Sequence, residues 1–271
     1  MRRLANFWKL VQNENMKIYR RIRTWIMLGI IVLVPVLISV IYIIASGDND
    51  ANNWWMMNLE TTILYQLIAI FSVVIAADSV AGEFSTGTIK LLLIRPWSRS
   101  MILLSKFLSL VLFTLLLMAI CFVVTWGLNA VLFGISSDTS DLIPAASPVA
   151  GDSAWAYISL FYLYLFIAQI MIVTVAFLLS SAFRSGGLAI GLSIFMLFSG
   201  TLITGMLSLT EKPWVKYVFF ANIDLTSYLN GGVPLPDQDM TLGFSLGVLL
   251  VYFIVFNAIS WTVFSRRDVA A

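Results

Sequence analysis

Residues 25–45 read WIMLGIIVLVPVLISVIYIIA, a run of 21 positions without a charged side chain. A helix of about 20 residues crosses a hydrocarbon layer of roughly 30 Å, so this stretch reads as a membrane span. Pro35 does not argue against it, because helices embedded among other helices tolerate proline. Five further apolar runs follow, separated by polar breaks, at about 59–77, 104–133, 155–183, 187–208 and 242–264. The third and fourth of the six exceed the required length and so tilt or extend past the membrane. The expected fold class is an all-α membrane protein, with residues 1–271 forming a single transmembrane domain of six spans.

Composition agrees with that reading. The chain is 60% hydrophobic and only 11% charged, too little charge to cover a soluble domain of this size. Histidine is absent, which excludes imidazole-based hydrolysis and histidine-ligated zinc chemistry. No metal site is expected. Cys121, the single cysteine, lies inside an apolar run without an intrachain partner and reads as packing.

The placement of charge sets an orientation. Fourteen of the 16 Lys and Arg residues fall in segments 1–24, 78–106, 182–186 and the tail after residue 264, all on one side of a six-span topology. Lys212 and Lys216 lie on the other side, with acids such as Asp48, Asp138 and Asp237. Basic residues stay on the cytoplasmic side, so both ends are expected in the cytoplasm of what reads as a bacterial cell membrane protein. The basic N-terminus is also patterned: Leu4, Phe7, Trp8, Val11, Ile18, Ile22 and Trp25 recur at helical spacing among lysines and arginines. Residues 1–24 therefore read as an amphipathic interfacial helix rather than a signal peptide, whose apolar core would be shorter.

No span carries a charge at its centre, since Glu60, Asp78 and Lys106 all fall at the ends of the runs as drawn. Proton-coupled transport normally needs a titratable group in the path, so this arrangement disfavours it. The chain also has no G-x-x-x-x-G-K-[ST] phosphate loop, so any ATP would be hydrolysed by another polypeptide. The sizeable polar-flanked segment between the second and third spans is where such a partner would dock. Within it Ile89, Leu92 and Leu93 form a ridge at i, i+3 and i+4, closed by Pro96. An interfacial helix lying against lipid explains the same ridge.

The stretch from Glu83 through Thr86, Gly87, Thr88, Ile89, Leu92, Leu93, Arg95 and Pro96, continued by Ser98, Arg99 and Lys106, resembles the ABC-2 type permeases, the membrane subunits of ATP-binding-cassette exporters. An acid, a Gly-Thr pair, a leucine cluster, a proline and a basic residue occur there in that order after the second span. The resemblance implies that Glu83, Thr86, Gly87, Thr88, Ile89, Leu92, Leu93 and Arg95 form a coupling helix seated on a separate ATPase. It implies two ATPase subunits and a second permease subunit, identical or paralogous. ATP and Mg would sit on the partner, with no cofactor on this chain. It further implies short external helices before span six, in which Trp214, Tyr217, Phe219 and Phe220 would close an outer gate; interfacial anchoring by aromatic side chains explains the same residues. Gln66, Asn129, Gln169, Thr204 and Asn257 are polar positions within spans, able to line a path or to bond between helices. Gly187-x-x-x-Gly191 and Gly243-x-x-x-Gly247 permit close helix approach.

The function expected from this reading is export of an amphipathic or hydrophobic compound, such as a drug, an antimicrobial peptide or a lipid, powered by a partner's ATP hydrolysis. Membrane lipid is the other expected partner, and nucleic acid is not. The chain is not expected to be an enzyme, because no buried lysine, histidine or acid pair is available for intramembrane hydrolysis. An ATP-independent channel or secondary carrier is the alternative. The topology has a direct check: a cysteine at Asn52 or Ser147 should react with an impermeant thiol reagent outside intact cells, and one at Ser98 should not. Labelling of Ser98→Cys from outside contradicts the six-span arrangement.

Overall fold

The computed structural model describes residues 2–46, 51–88, 97–136, 138, 142–149, 151, 153–210, 212–236 and 238–266. Among them the architecture is entirely helical. An N-terminal helix α1 (Arg2–Tyr19) precedes α2 (Ile22–Ser46), α3 (Asn53–Ser85), α4 (Arg99–Leu132), α5 (Ala154–Ala182) and α6 (Gly186–Leu207). Two 3-10 turns (Val215–Tyr217 and Phe219–Asn222) and a short α7 (Thr226–Leu229) lead into α8 (Leu242–Arg266). Helices α2 to α6 and α8 are each long and apolar enough to cross a membrane, and the chain is a multi-pass integral membrane protein.

Small polar side chains set where the helices begin. The side chains of Asn52, Ser98, Ser153 and Ser185 accept hydrogen bonds from the first-turn backbone amides of α3, α4, α5 and α6, satisfying donors that a helix start leaves open. The capped helices outrun the apolar runs: α3 has 33 residues and α4 has 34, each roughly 50 Å at 1.5 Å per residue. Their ends thus project beyond a hydrocarbon layer.

Helix α3 is the spine of the bundle, packed against α2, α4, α5 and α6, while α8 closes the outer side of α5. Near the end that carries α1, α3 and α6 meet through small residues. Ala77, Ala81 and Ala189 are buried together, and a Cβ on Gly186 would come within 3.5 Å of the Gly82 Cα. The Gly187/Gly191 and Gly243/Gly247 pairs, by contrast, face nothing within 4 Å. They make no close helix contact inside this chain.

The N-terminal helix differs from the 1–24 interfacial helix that the sequence suggests. It stops at Tyr19, the chain turns at Arg20 and Arg21, and α1 docks on α4 with Leu10 and Val11 buried. Ion pairs tie it to the bundle. Lys106, 2% exposed, donates to Glu14 (2.9 Å), Glu83 (2.7 Å) and the Ser79 carbonyl (3.0 Å), and Lys17 reaches Glu14 (2.6 Å) and Glu83 (2.8 Å). One turn further, Arg21 and Arg23 share Asp78 Oδ2 at 2.5 and 2.6 Å. Lys106 and Asp78, which the sequence places at span ends within reach of water, are instead ion-paired here, Lys106 with Glu14 and Glu83 and Asp78 with Arg21 and Arg23.

Two pKa shifts follow from this network. Burial alone would raise the Glu14 carboxyl, yet Lys106 and Lys17 outweigh it and hold it below its ordinary value. Burial would lower the Lys17 ammonium, and Glu83 with Glu14 raises it instead. Glu14 thus contributes stability that is present above its unfolded value and lost as pH falls through its depressed folded value. Lys17 contributes stability that is present below its unfolded value and lost only as pH rises through its raised one. Docking of α1 should be flat across the neutral range and loosen below roughly pH 4. Lys106→Met, which strands carboxylates at a buried site, should cost about 3–5 kcal/mol, and Lys17→Met, at a half-exposed position, clearly less. Thermal unfolding in detergent checks both; equal effects would contradict the assigned burial of Lys106.

For the topology check, Ser147 proves buried at 7% exposure, so Asn52 is the better outer reporter.

Candidate functional site

At the end opposite α1 the segment between α6 and α8 folds into a cap. Asn222 Nδ2 donates to the carbonyls of Lys216 and Val218, both at 2.8 Å, and Ser245 Oγ donates to Asn222 Oδ1 at 2.8 Å. Val215, Leu225, Leu229 and Leu235 are almost wholly buried beneath it. The cap is pinned to α6 at a glycine. The Phe220 ring lies where a Cβ on Gly200 would be, 2.6 Å from the nearest ring carbon, and Thr204 Oγ1 donates to the Phe220 carbonyl at 3.1 Å.

Under the cap, between α3, α5 and α6, lies a cavity of about 830 Å³. Asn58, Thr62, Tyr65 and Gln66 line it from α3. Tyr157, Phe161, Tyr164, Leu165, Ala168, Ile172 and Val175 line it from α5, and Ser193, Met196, Leu197, Gly200, Thr201, Thr204, Gly205 and Ser208 from α6. Phe219, Phe220, Ile223, Asp224, Leu225, Thr226, Asn230, Pro234 and Pro236 close it from the cap. The wall is mixed: aromatic and aliphatic faces are interrupted by amides and hydroxyls. A pocket of this size and character suits a ligand of drug or lipid dimensions, with apolar surface for affinity and sparse polar groups for orientation.

The polar span positions sort accordingly. Gln66 and Thr204 face the cavity. Asn257 Nδ2 turns back onto the Phe253 carbonyl of its own helix. Gln169 is buried, with Nε2 at 3.5 Å from the Ile68 carbonyl. Of the aromatic candidates in the cap, Phe219 and Phe220 line the cavity, whereas Trp214 and Tyr217 are 57% and 55% exposed and lie outside it. Tyr65, Tyr157, Tyr164 and Asp224 carry no motif in the sequence and enter only through the fold.

Asn129 belongs to a second polar site, on the face of α3 turned away from the cavity. Glu60, fully buried, accepts from Ser39 Oγ of α2 at 2.6 Å and from Asn129 Nδ2 of α4 at 2.7 Å. Among the described residues no basic side chain forms an ion pair with it. Nearby, Tyr162 OH lies 2.8 Å from Thr61 Oγ1 and 3.4 Å from Thr125 Oγ1. The sequence reading that Glu60 sits at a span end is therefore wrong. Helix α3 begins at Asn53, two turns earlier, and Glu60 is inside the bundle.

The segment singled out after the second span is described in part. Ile89, Leu92, Leu93 and Arg95 lie outside the described residues. Glu83 points inward to Lys17 and Lys106. Thr86 ends α3, its Oγ1 donating to the Gly82 carbonyl at 2.8 Å and lying 3.0 Å from Thr88 Oγ1. Gly87 follows with φ +71°, the left-handed conformation that ends many helices and favours glycine.

Residues 26–270 match the family described as "Protein of unknown function (DUF2705)". The chain is 32% identical over an alignment of 312 positions, gaps included, to a protein of Bacillus subtilis (strain 168) named "Uncharacterized protein YhcI", covering 96% of this chain and 99% of the relative. It is 28% identical over 258 residues to the "Uncharacterized membrane protein YdbK" of the same strain, covering 94% and 99%. These findings overturn the resemblance to ABC-2 permeases, since the family that matches is DUF2705 and no ABC-2 family matches. Physically, the acid and the Gly-Thr pair that helped carry the resemblance are residues that the end of a long helix recruits for ion pairing and chain reversal.

The Gly200 contact yields a stability test. Gly200→Val must displace the Phe220 ring and is expected to destabilise the cap by about 1–3 kcal/mol, whereas Gly191→Val, where nothing lies within 4 Å, should be nearly neutral. Thermal unfolding of the two variants in detergent decides; equal shifts would place Phe220 elsewhere.

Proposed function

The chain belongs to the DUF2705 family, and we propose that it is the membrane subunit of an exporter that moves an amphipathic or hydrophobic compound outward. The observation that carries this reading is the cavity of about 830 Å³ under the cap. Its mixed lining matches a compound that partitions into the membrane yet keeps polar groups. The dense basic end would face the cytoplasm. A separate subunit would hydrolyse ATP there with its own Mg, since this chain has no phosphate-binding loop. The exposed stretch Ser85–Thr88 just beyond the ion-paired Glu83 offers that partner a surface.

One observation favours a second reading, an ATP-independent carrier. Glu60 is an acid wholly buried in a membrane helix with no cationic partner among the described residues, and such residues commonly mark ion or proton coupling. The two readings separate in one experiment. The protein is purified with whatever co-purifies, reconstituted into liposomes, and assayed for movement of a fluorescent amphipath. The exporter reading predicts transport that needs ATP and a co-purified ATPase and that survives Glu60→Gln. Transport by the chain alone, driven by a pH gradient and abolished in Glu60→Gln, would overturn it.

A further inference from the structure

Charge in the cavity is one-sided. Among the described residues that line it, Asp224 alone carries a full charge, and neither lysine nor arginine is among them. Its carboxylate is held in place by the chain itself: Oδ1 accepts from the Thr226 amide (3.1 Å) and Thr226 Oγ1 (2.6 Å), and Oδ2 accepts from Ser227 Oγ (2.6 Å). Three donors from neutral groups fix the carboxylate without neutralising it, and its remaining lone pairs stay open. Among the described residues no salt bridge uses Asp224. Lys216, on the same cap, instead lies over the Tyr217 and Phe244 rings at 5.8 and 5.5 Å, and it does not line the cavity.

The walls favour the same sign. Tyr65, Tyr157, Phe161, Tyr164, Phe219 and Phe220 bring aromatic rings to the cavity, and the faces of such rings are electronegative and attract cations. Asp224 is exposed, so its carboxylate stands where the cavity is reached by water; a lipophilic anion entering here would meet that fixed charge and the ring faces, a repulsion that solvent screens in part. A lipophilic cation would find apolar contact for its body and a partner for its charge.

We propose that the cavity under the cap selects lipophilic organic cations, with Asp224 as the residue that reads the charge. This rests on the reading of the cavity as the substrate site, and deepens it by naming the substrate class. Asp224 is a specificity residue rather than a structural one. Asn at the same place keeps an oxygen for the Thr226 amide, so the turn survives without the charge.

The test uses three probes of similar shape and different charge: tetraphenylphosphonium, tetraphenylborate and triphenylphosphine oxide. Binding of each to the full chain is measured by equilibrium dialysis in phosphatidylcholine nanodiscs, against empty nanodiscs, for wild type, Asp224→Asn, Asp224→Glu and Thr201→Trp. Unchanged thermal transitions confirm that each variant folds. Saturable tetraphenylphosphonium binding is expected, weakened about threefold or more in Asp224→Asn, restored in Asp224→Glu, and weakened in Thr201→Trp, whose ring takes up part of the cavity. Triphenylphosphine oxide should be indifferent to Asp224→Asn. Tetraphenylborate binding as tight as the phosphonium, or phosphonium binding unchanged in Asp224→Asn, overturns the cation assignment while leaving the cavity as a site. Binding of no probe, or binding of the same affinity in Thr201→Trp as in wild type, overturns the cavity reading itself and the assignment with it.

Discussion

The structure depends on one constraint: α3 must find partners for its polar side chains inside the protein, because a hydrocarbon layer offers none. Its three acids point in different directions. Glu60 is met by α2 and α4, Asp78 by the arginines of the turn after α1, and Glu83 by lysines from α1 and α4. Rotating α3 about its axis by one residue's worth, about 100°, would break all three arrangements at once. Its register against four neighbours is thereby fixed, and so is the geometry of everything packed on it.

The cavity is a consequence of how α3 and α6 are held apart. At the basic end they are drawn together by Gly82, Gly186 and the alanines around Ala77, with the Asp78 carboxylate lying against both glycines. At the other end the cap takes hold of α6 through Gly200 and Thr204, and Tyr65, Phe161 and Tyr164 occupy the faces between. Two helices that touch at one end and are spread at the other leave space. That space lies toward the cap, and its polar groups come from α3, α6 and the cap alike.

Much of the architecture is legible in the sequence. Run length and the absence of charge give six spans within a few residues of α2 to α6 and α8. Helix lengths are less so, since an apolar count stops at the first polar residues. It begins the second span at 59 where Asn52 caps the helix that starts at Asn53. That difference hides Glu60, which reads as terminal on hydropathy and is two turns deep. Glu83 shows a second limit. An acid beside a helix end reads as available to a partner, and only the fold reveals that Lys17 and Lys106 already occupy it. The cavity leaves no trace in the sequence, because its lining comes from four separated segments with no shared period. The likeness to a known permease family failed for a related reason: short helix-end patterns recur wherever long membrane helices stop.

The space under the cap is a cavity that water reaches, and that is the property on which its role as a binding site depends. Thr201 and Leu202 are neighbours on α6; Thr201 lines the cavity, while Leu202 is 71% exposed on the outer surface of the bundle. With Cys121 replaced by serine, single cysteines at these two positions are titrated in liposomes with a charged, membrane-impermeant thiol reagent. The account predicts that Thr201→Cys reacts and Leu202→Cys, shielded by lipid, does not. Equal reaction at both positions, or protection of Thr201→Cys with reaction at Leu202→Cys, would contradict it.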